Sequence, residues 1–115
     1  MSFWPFRKKE PKKLLLIYYP HDDERKIFHA TKKIADPVVF TDLSQFLSHK
    51  NEPYAILLFQ PDFGLDENSI ARKISEIKKK YQNAVIIASD IHLLNETYLR
   101  AGADFFLDCE WGYFA

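Results

Sequence analysis

The sequence predicts an α/β fold, a doubly wound parallel sheet of five strands in one domain. Three observations carry this. Continuously apolar runs at 14–19, 54–59 and 84–88 have the length and composition of strands buried on both faces. Segments with apolar residues at helical spacing alternate with those runs. The chain has 115 residues, enough for one hydrophobic core and too few for two. Five strands alternating with four helices imply right-handed crossovers and helices on both faces of the sheet. The flavodoxin-like strand order 2-1-3-4-5 follows, and it places any site at the carboxyl ends of strands one and three.

The first strand is Leu14 to Tyr19, bounded by lysines and by Pro20. Asp22 and Asp23 open the first helix, with Ile27, Thr31 and Ile34 on its inner face, and the Asp36-Pro37 step ends it. Val38 to Phe40 form a short second strand. Thr41 or Asp42 then caps a brief helix whose Leu43, Phe46 and Leu47 face inward. Tyr54 to Phe59 are the third strand, ending at Gln60-Pro61. Asp66, Glu67 and Asn68 start the longest helix. Its stripe is Ile70, Ile74, Ile77 and Tyr81, and Lys78, Lys79 and Lys80 end it, so acid and base complement the helix dipole. Ala84 to Ala88 are the fourth strand. Leu94, Tyr98 and Ala101 mark a fourth helix closed by Gly102, and Phe105, Phe106 and Leu107 are the fifth strand.

Residues 1–12 read as an arm on a domain of residues 13–115. Up to Lys13, five basic residues stand against Glu10 alone, a local +4 that leaves −4 on the body. The net charge of zero gives no field that gathers nucleic acid. No apolar run is long enough to span a bilayer, and the N-terminus lacks the apolar core of a signal peptide. The one cysteine, Cys109, has no partner for an internal disulfide, which fits a cytoplasmic setting.

Two segments carry a resemblance across residues 13–110. Tyr54-Ala-Ile-Leu-Leu-Phe-Gln60 resembles the strand of response-regulator receiver domains that ends in the phosphorylated aspartate. Ala101-Gly-Ala-Asp-Phe-Phe-Leu107 resembles the motif ahead of that family's lysine. The resemblance implies the CheY-like version of the flavodoxin-like fold. It also implies two-component signalling, in which an acid pair holds Mg²⁺ beside the acceptor aspartate, with a hydroxyl residue and a lysine completing the site. Laid on this chain, the acid pair falls on Tyr18 and Tyr19, the acceptor on Gln60, the hydroxyl near Ala88 or Ser89, and the lysine on Cys109. A glutamine amide is a poor nucleophile, and tyrosines neutral near pH 7 bring no charge to a cation.

The implied product is a degenerate receiver, a pseudo-receiver that is not an enzyme, needs no metal or cofactor, and signals by binding another protein. Its degenerate phospho-site rim is Tyr18, Tyr19, Gln60, Ser89 and Cys109. Its interaction face is the fourth helix and fifth strand with Tyr98 and Phe106, the latter at the family's aromatic switch position. A receiver carries a fifth helix after strand five, where this chain has Glu110-Trp-Gly-Tyr-Phe-Ala115. Phe3, Trp4, Phe6, Trp111, Tyr113 and Phe114 are candidate covers for the bare sheet face, or a surface for homodimers.

Two alternatives stand beside this reading. In one, Asp22 and Asp23 are a displaced acid pair, and Asp62 is a shifted acceptor phosphorylated with Mg²⁺. In the other, His21 joins Asp22 and Asp62 at the rim of a small-ligand pocket of a few hundred Å³. With glycine only at 64, 102 and 112, the chain has no phosphate-binding glycine loop. His21, His29, His49 and His92 lack metal-ligand spacing. Cys109 lies between Asp108 and Glu110, whose charge disfavours a thiolate.

Overall fold

The computed structural model describes residues 12–21, 24–91 and 94–108. The elements run in the expected alternation. They are β1 (Leu14–Tyr18), α1 (Glu24–Lys32), β2 (Asp36–Phe40), α2 (Leu43–Leu47), β3 (Ala55–Phe59), α3 (Glu67–Lys80), β4 (Val85–Asp90), α4 (Asn95–Ala101) and β5 (Phe105–Asp108). All strands are parallel, in the order β2-β1-β3-β4-β5. This is the CheY-like flavodoxin fold, with four helices among the described residues.

Period-two alternation along the strands sorts the apolar residues onto two faces. Leu16, Tyr18, Ile56, Leu58, Ile86 and Ala88 pack under α2, α3 and α4, which contribute Phe46, the Ile70, Ile74 and Ile77 stripe, and Tyr98. Leu15, Ile17, Leu57 and Phe59 face the other way and meet Ile27 of α1. Three helices therefore cover one face and one covers the other. β5 shows the result, because Phe106 packs against the three-helix core while Phe105 and Leu107 remain 58% and 50% exposed.

The caps follow ordinary helix chemistry. The Asp42 carboxylate accepts from the Gln45 amide at 3.1 Å, and that of Asp66 accepts from the Ser69 amide at 3.0 Å. Gly102 closes α4 at φ 123°, a conformation few side chains tolerate.

Several boundaries differ from the sequence reading. Ile34 lies beyond the end of α1 and is 79% exposed, so it is no part of the helix's inner face. The Asp36-Pro37 step opens β2 instead of only ending a helix; proline is tolerated there because β2 is an edge strand. Tyr54 precedes β3 and is exposed, with the Lys13 ammonium 4.2 Å above its ring. β4 extends two residues past Ala88, which takes Ser89 and Asp90 into the sheet.

Candidate functional site

The carboxyl ends of β1, β3, β4 and β5 meet at one rim. Register sets its geometry: Tyr18 lies beside Leu58, Phe59 beside Ser89, and Asp90 beside Asp108. The sheet thus brings Tyr18, Gln60 and Ser89 to one end. Cys109, Asp22 and Asp23 lie outside the described residues, as do the aromatic residues of both termini.

Tyr18 and Tyr19 point to opposite faces. The Tyr18 ring is buried among the three-helix core, 5.8 Å from Phe63 in a stacked pair and 5.8 Å from Phe46. Burial, and then the nearby Asp62 and Asp42 carboxylates, push its phenol above the usual 10.0. Tyr18 therefore stays neutral throughout the physiological range. Tyr19 packs on the α1 side, with its ring 5.1 Å from Phe59 and 4.9 Å from the His21 imidazole.

Gln60 follows β3 directly and stands in the left-handed region at φ 47°, an uncommon place for a residue with a side chain. Two bonds hold it there. Its amide donates to the Ser89 carbonyl at 2.6 Å, and its own carbonyl lies 2.7 Å from His21 Nε2. A carbonyl only accepts, so His21 carries its proton on Nε2 in this contact. No motif signals this bond, which joins the chain after β1 to the residue that follows β3.

Ser89 is buried, so it forms part of the wall behind the rim and not its surface. Asp90, which the sequence reading passed over, is 4% exposed, and its Oδ2 accepts the Tyr98 hydroxyl at 2.9 Å. Burial first, and the carboxylate beside it second, drive the Tyr98 phenol far above its usual 10.0. Tyr98 itself is fully buried and sits 5.7 Å from Phe106, ring to ring. Neither its ring nor its hydroxyl is available to a partner. Among the described residues, Leu99 on α4 and Phe105 and Leu107 on β5 are exposed apolar side chains on these elements.

His21, Gln60, Pro61, Asp62, Asp90 and Ile91 line a cleft of about 180 Å³ at the rim. It is open to solvent and smaller than the few hundred Å³ expected of a small-molecule pocket. Asp62 is exposed at its edge. Among the described residues, no three histidine, cysteine, aspartate or glutamate side chains converge as a metal site. At the positions the resemblance assigns to hard oxygen ligands stand two phenols and an amide, which do not fit a Mg²⁺ site.

The response regulator DrrB of Thermotoga maritima, an OmpR/PhoB homolog, superposes with a TM-score of 0.63 at 17% identity, covering 86% of this chain and 46% of that one. The BeF3-activated DrrB receiver domain gives 0.63 at 15% identity, covering 86% of this chain and 85% of that one. The chain thus spans less than half of the whole regulator and most of its receiver domain. At such identities the likeness defines a receiver-like fold. No protein-family model matches the chain, and no curated protein matches it.

Proposed function

We propose that this chain is a pseudo-receiver, a non-enzymatic signalling module that binds another protein without phosphoryl transfer. The observation that carries the reading is Tyr18. At the position where a receiver would present a metal-binding acid, this chain has a neutral ring built into the hydrophobic core between Phe46 and Phe63. Gln60 at the acceptor position adds an amide whose backbone is tied to β4 and to His21. At Tyr18 and Gln60 such a rim carries no carboxylates that would repel one another in the absence of a cation, so these positions hold one arrangement without a ligand. The bonded pair Asp90–Tyr98 and the contact of Tyr98 with Phe106 brace α4 against β5. The surface offered to a partner is then the outside of that brace, where Leu99 is exposed.

A second reading has one observation in its favour. Asp62 and Asp90 line the same cleft as His21 and Gln60, so a relocated acid site would have its carboxylates there. An NMR amide-shift titration with Mg²⁺ and then beryllofluoride, which mimics an aspartyl phosphate, separates the two. Unmoved resonances at Gln60, Asp62 and Ser89 are the expected result. Saturable, Mg²⁺-dependent shifts spreading from Asp62 toward Phe106 would instead establish a relocated phosphorylation site, and Asp62→Asn should then abolish them.

A further inference from the structure

Among the described residues, the α1 side of the sheet contains a groove of about 460 Å³ at the amino ends of the central strands. Its lining is Leu14, Leu15, Ala35, Ala55 and Ile87, walled by Ile34 and Tyr54, with Lys12 and Lys13 at its mouth. An apolar cavity of about 150 Å³ takes one benzene, so this groove has room for two or three aromatic rings. Ala35 and Ala55 let a ligand approach the sheet closely. Ile34 and Tyr54 present large apolar surfaces to water when the groove is empty.

We infer that this groove is the docking site of the chain's own residues 3–6, Phe3-Trp4-Pro5-Phe6, which precede the described part of the chain. Continuity is the first argument. Lys12 and Lys13, where that segment joins the domain, already line the groove, and both are anchored there. The Lys12 ammonium donates to the Lys32 carbonyl at 2.7 Å, and the Lys13 ammonium sits 4.2 Å over the Tyr54 ring.

Reach is the second. The six residue steps from Phe6 to Lys12 span up to about 20 Å, and Ile87 lies two strands across and two residues along from Leu15, about 12 Å. A tether this short holds the aromatic segment near the groove at an effective concentration on the order of millimolar. Composition is the third. Three of the four residues in the segment are aromatic, and Arg7, Lys8, Lys9 and Glu10 that follow form a polar tether able to stay in water. The other aromatic segment, with Trp111, follows β5 at the opposite ends of the strands.

The two tryptophans, Trp4 and Trp111, make the test direct, since each reports on one terminus. In full-length Trp111→Phe, Trp4 is expected to emit at a blue-shifted maximum and to resist acrylamide several-fold better than the free peptide of residues 1–11. Both properties should be independent of protein concentration and should be lost when Ile34→Lys is added. An exposed Trp4 overturns the inference. Protection of Trp111 alone, in Trp4→Phe, overturns it in favour of the C-terminal segment. Protection of Trp4 that grows with protein concentration overturns it in favour of a second copy. Should Trp111→Phe fail to fold, NOEs from the Phe3, Trp4 and Phe6 rings to the Ala55 and Ile87 methyl groups in the unaltered chain decide the same question, and their absence counts against docking.

Discussion

Asp90 and Tyr98 form the one tie in this domain between the rim and α4 that runs through a buried carboxylate among the described residues. Removing the hydroxyl takes a donor from a charged acceptor that water does not reach, so Tyr98→Phe should cost about 1–3 kcal/mol, read as a lower urea midpoint. The same side chain sets a pH dependence. Its folded pKa is raised above the unfolded 10.0, so above pH 10 the unfolded chain binds fewer protons than the folded one. Stability is therefore complete below pH 10 and falls as pH rises beyond it. Tyr18 and Tyr81 shift the same way, chiefly through burial, so Tyr98→Phe should flatten the alkaline loss without abolishing it. Urea midpoints measured from pH 7 to 11 on both proteins check this. The pair was only half legible in the sequence. Tyr98 stood out on a helical stripe, but Asp90 followed a run that seemed complete at Ala88, and a buried acid is identified by its partner and not by its neighbours in the chain.

At the level of elements, apolar continuity and periodicity located the nine among the described residues, because apolar strands and helices with one apolar stripe leave strong patterns. Boundaries were weaker where a side chain's character and its backbone's role disagree. Ile34 continues the apolar spacing of α1 but falls in the turn after Lys32, and Pro37 signals a break yet sits within an edge strand. Gly102 is the reverse case, where residue type and backbone agree. Its φ of 123° is strained for any side chain, and an added Cβ would stand 3.0 Å from Lys78 Cδ and 3.4 Å from Ile74 Cγ2. The lysine end can swing away, but the backbone strain remains, so Gly102→Ala should destabilise the domain by about 1–3 kcal/mol in thermal or urea unfolding. Asp66→Ala removes the carboxylate that accepts from the Ser69 amide and hydroxyl at the start of α3, and about 1 kcal/mol should go with it. Gly102→Ala should do more harm than Asp66→Ala, because water can replace an exposed cap and nothing replaces a forbidden backbone angle.

For the whole molecule, the rim and the core are one structure, and this decides what an acid placed at the rim costs the fold. The sequence shows which residue types stand at the rim, but not that Tyr18 is also a structural member stacked on Phe63 beside Phe46. That knowledge needs the register of β1 against β3 and the path of the loop after Gln60. Gln60→Asp places a carboxylate at the position the receiver resemblance assigns to the acceptor and touches little of the core, so it should fold normally. It should nonetheless take no phosphoryl group from a small acyl-phosphate donor with Mg²⁺, because no acid stands at Tyr18 or Tyr19 to hold the metal. Adding Tyr18→Asp supplies an acid at a site that is 7% exposed and walled by rings. Emptying an aromatic site of that kind costs about 3–5 kcal/mol, before the penalty for a carboxylate near Phe46 and Phe63. This is a large part of the stability of a domain this size, roughly 5–15 kcal/mol. The double variant should therefore be partly unfolded at 37 °C, by circular dichroism, while Gln60→Asp alone keeps the parent's melting curve. A stable double variant that labels with phosphate would show that Tyr18 is dispensable to the core and would remove the argument for a fixed rim.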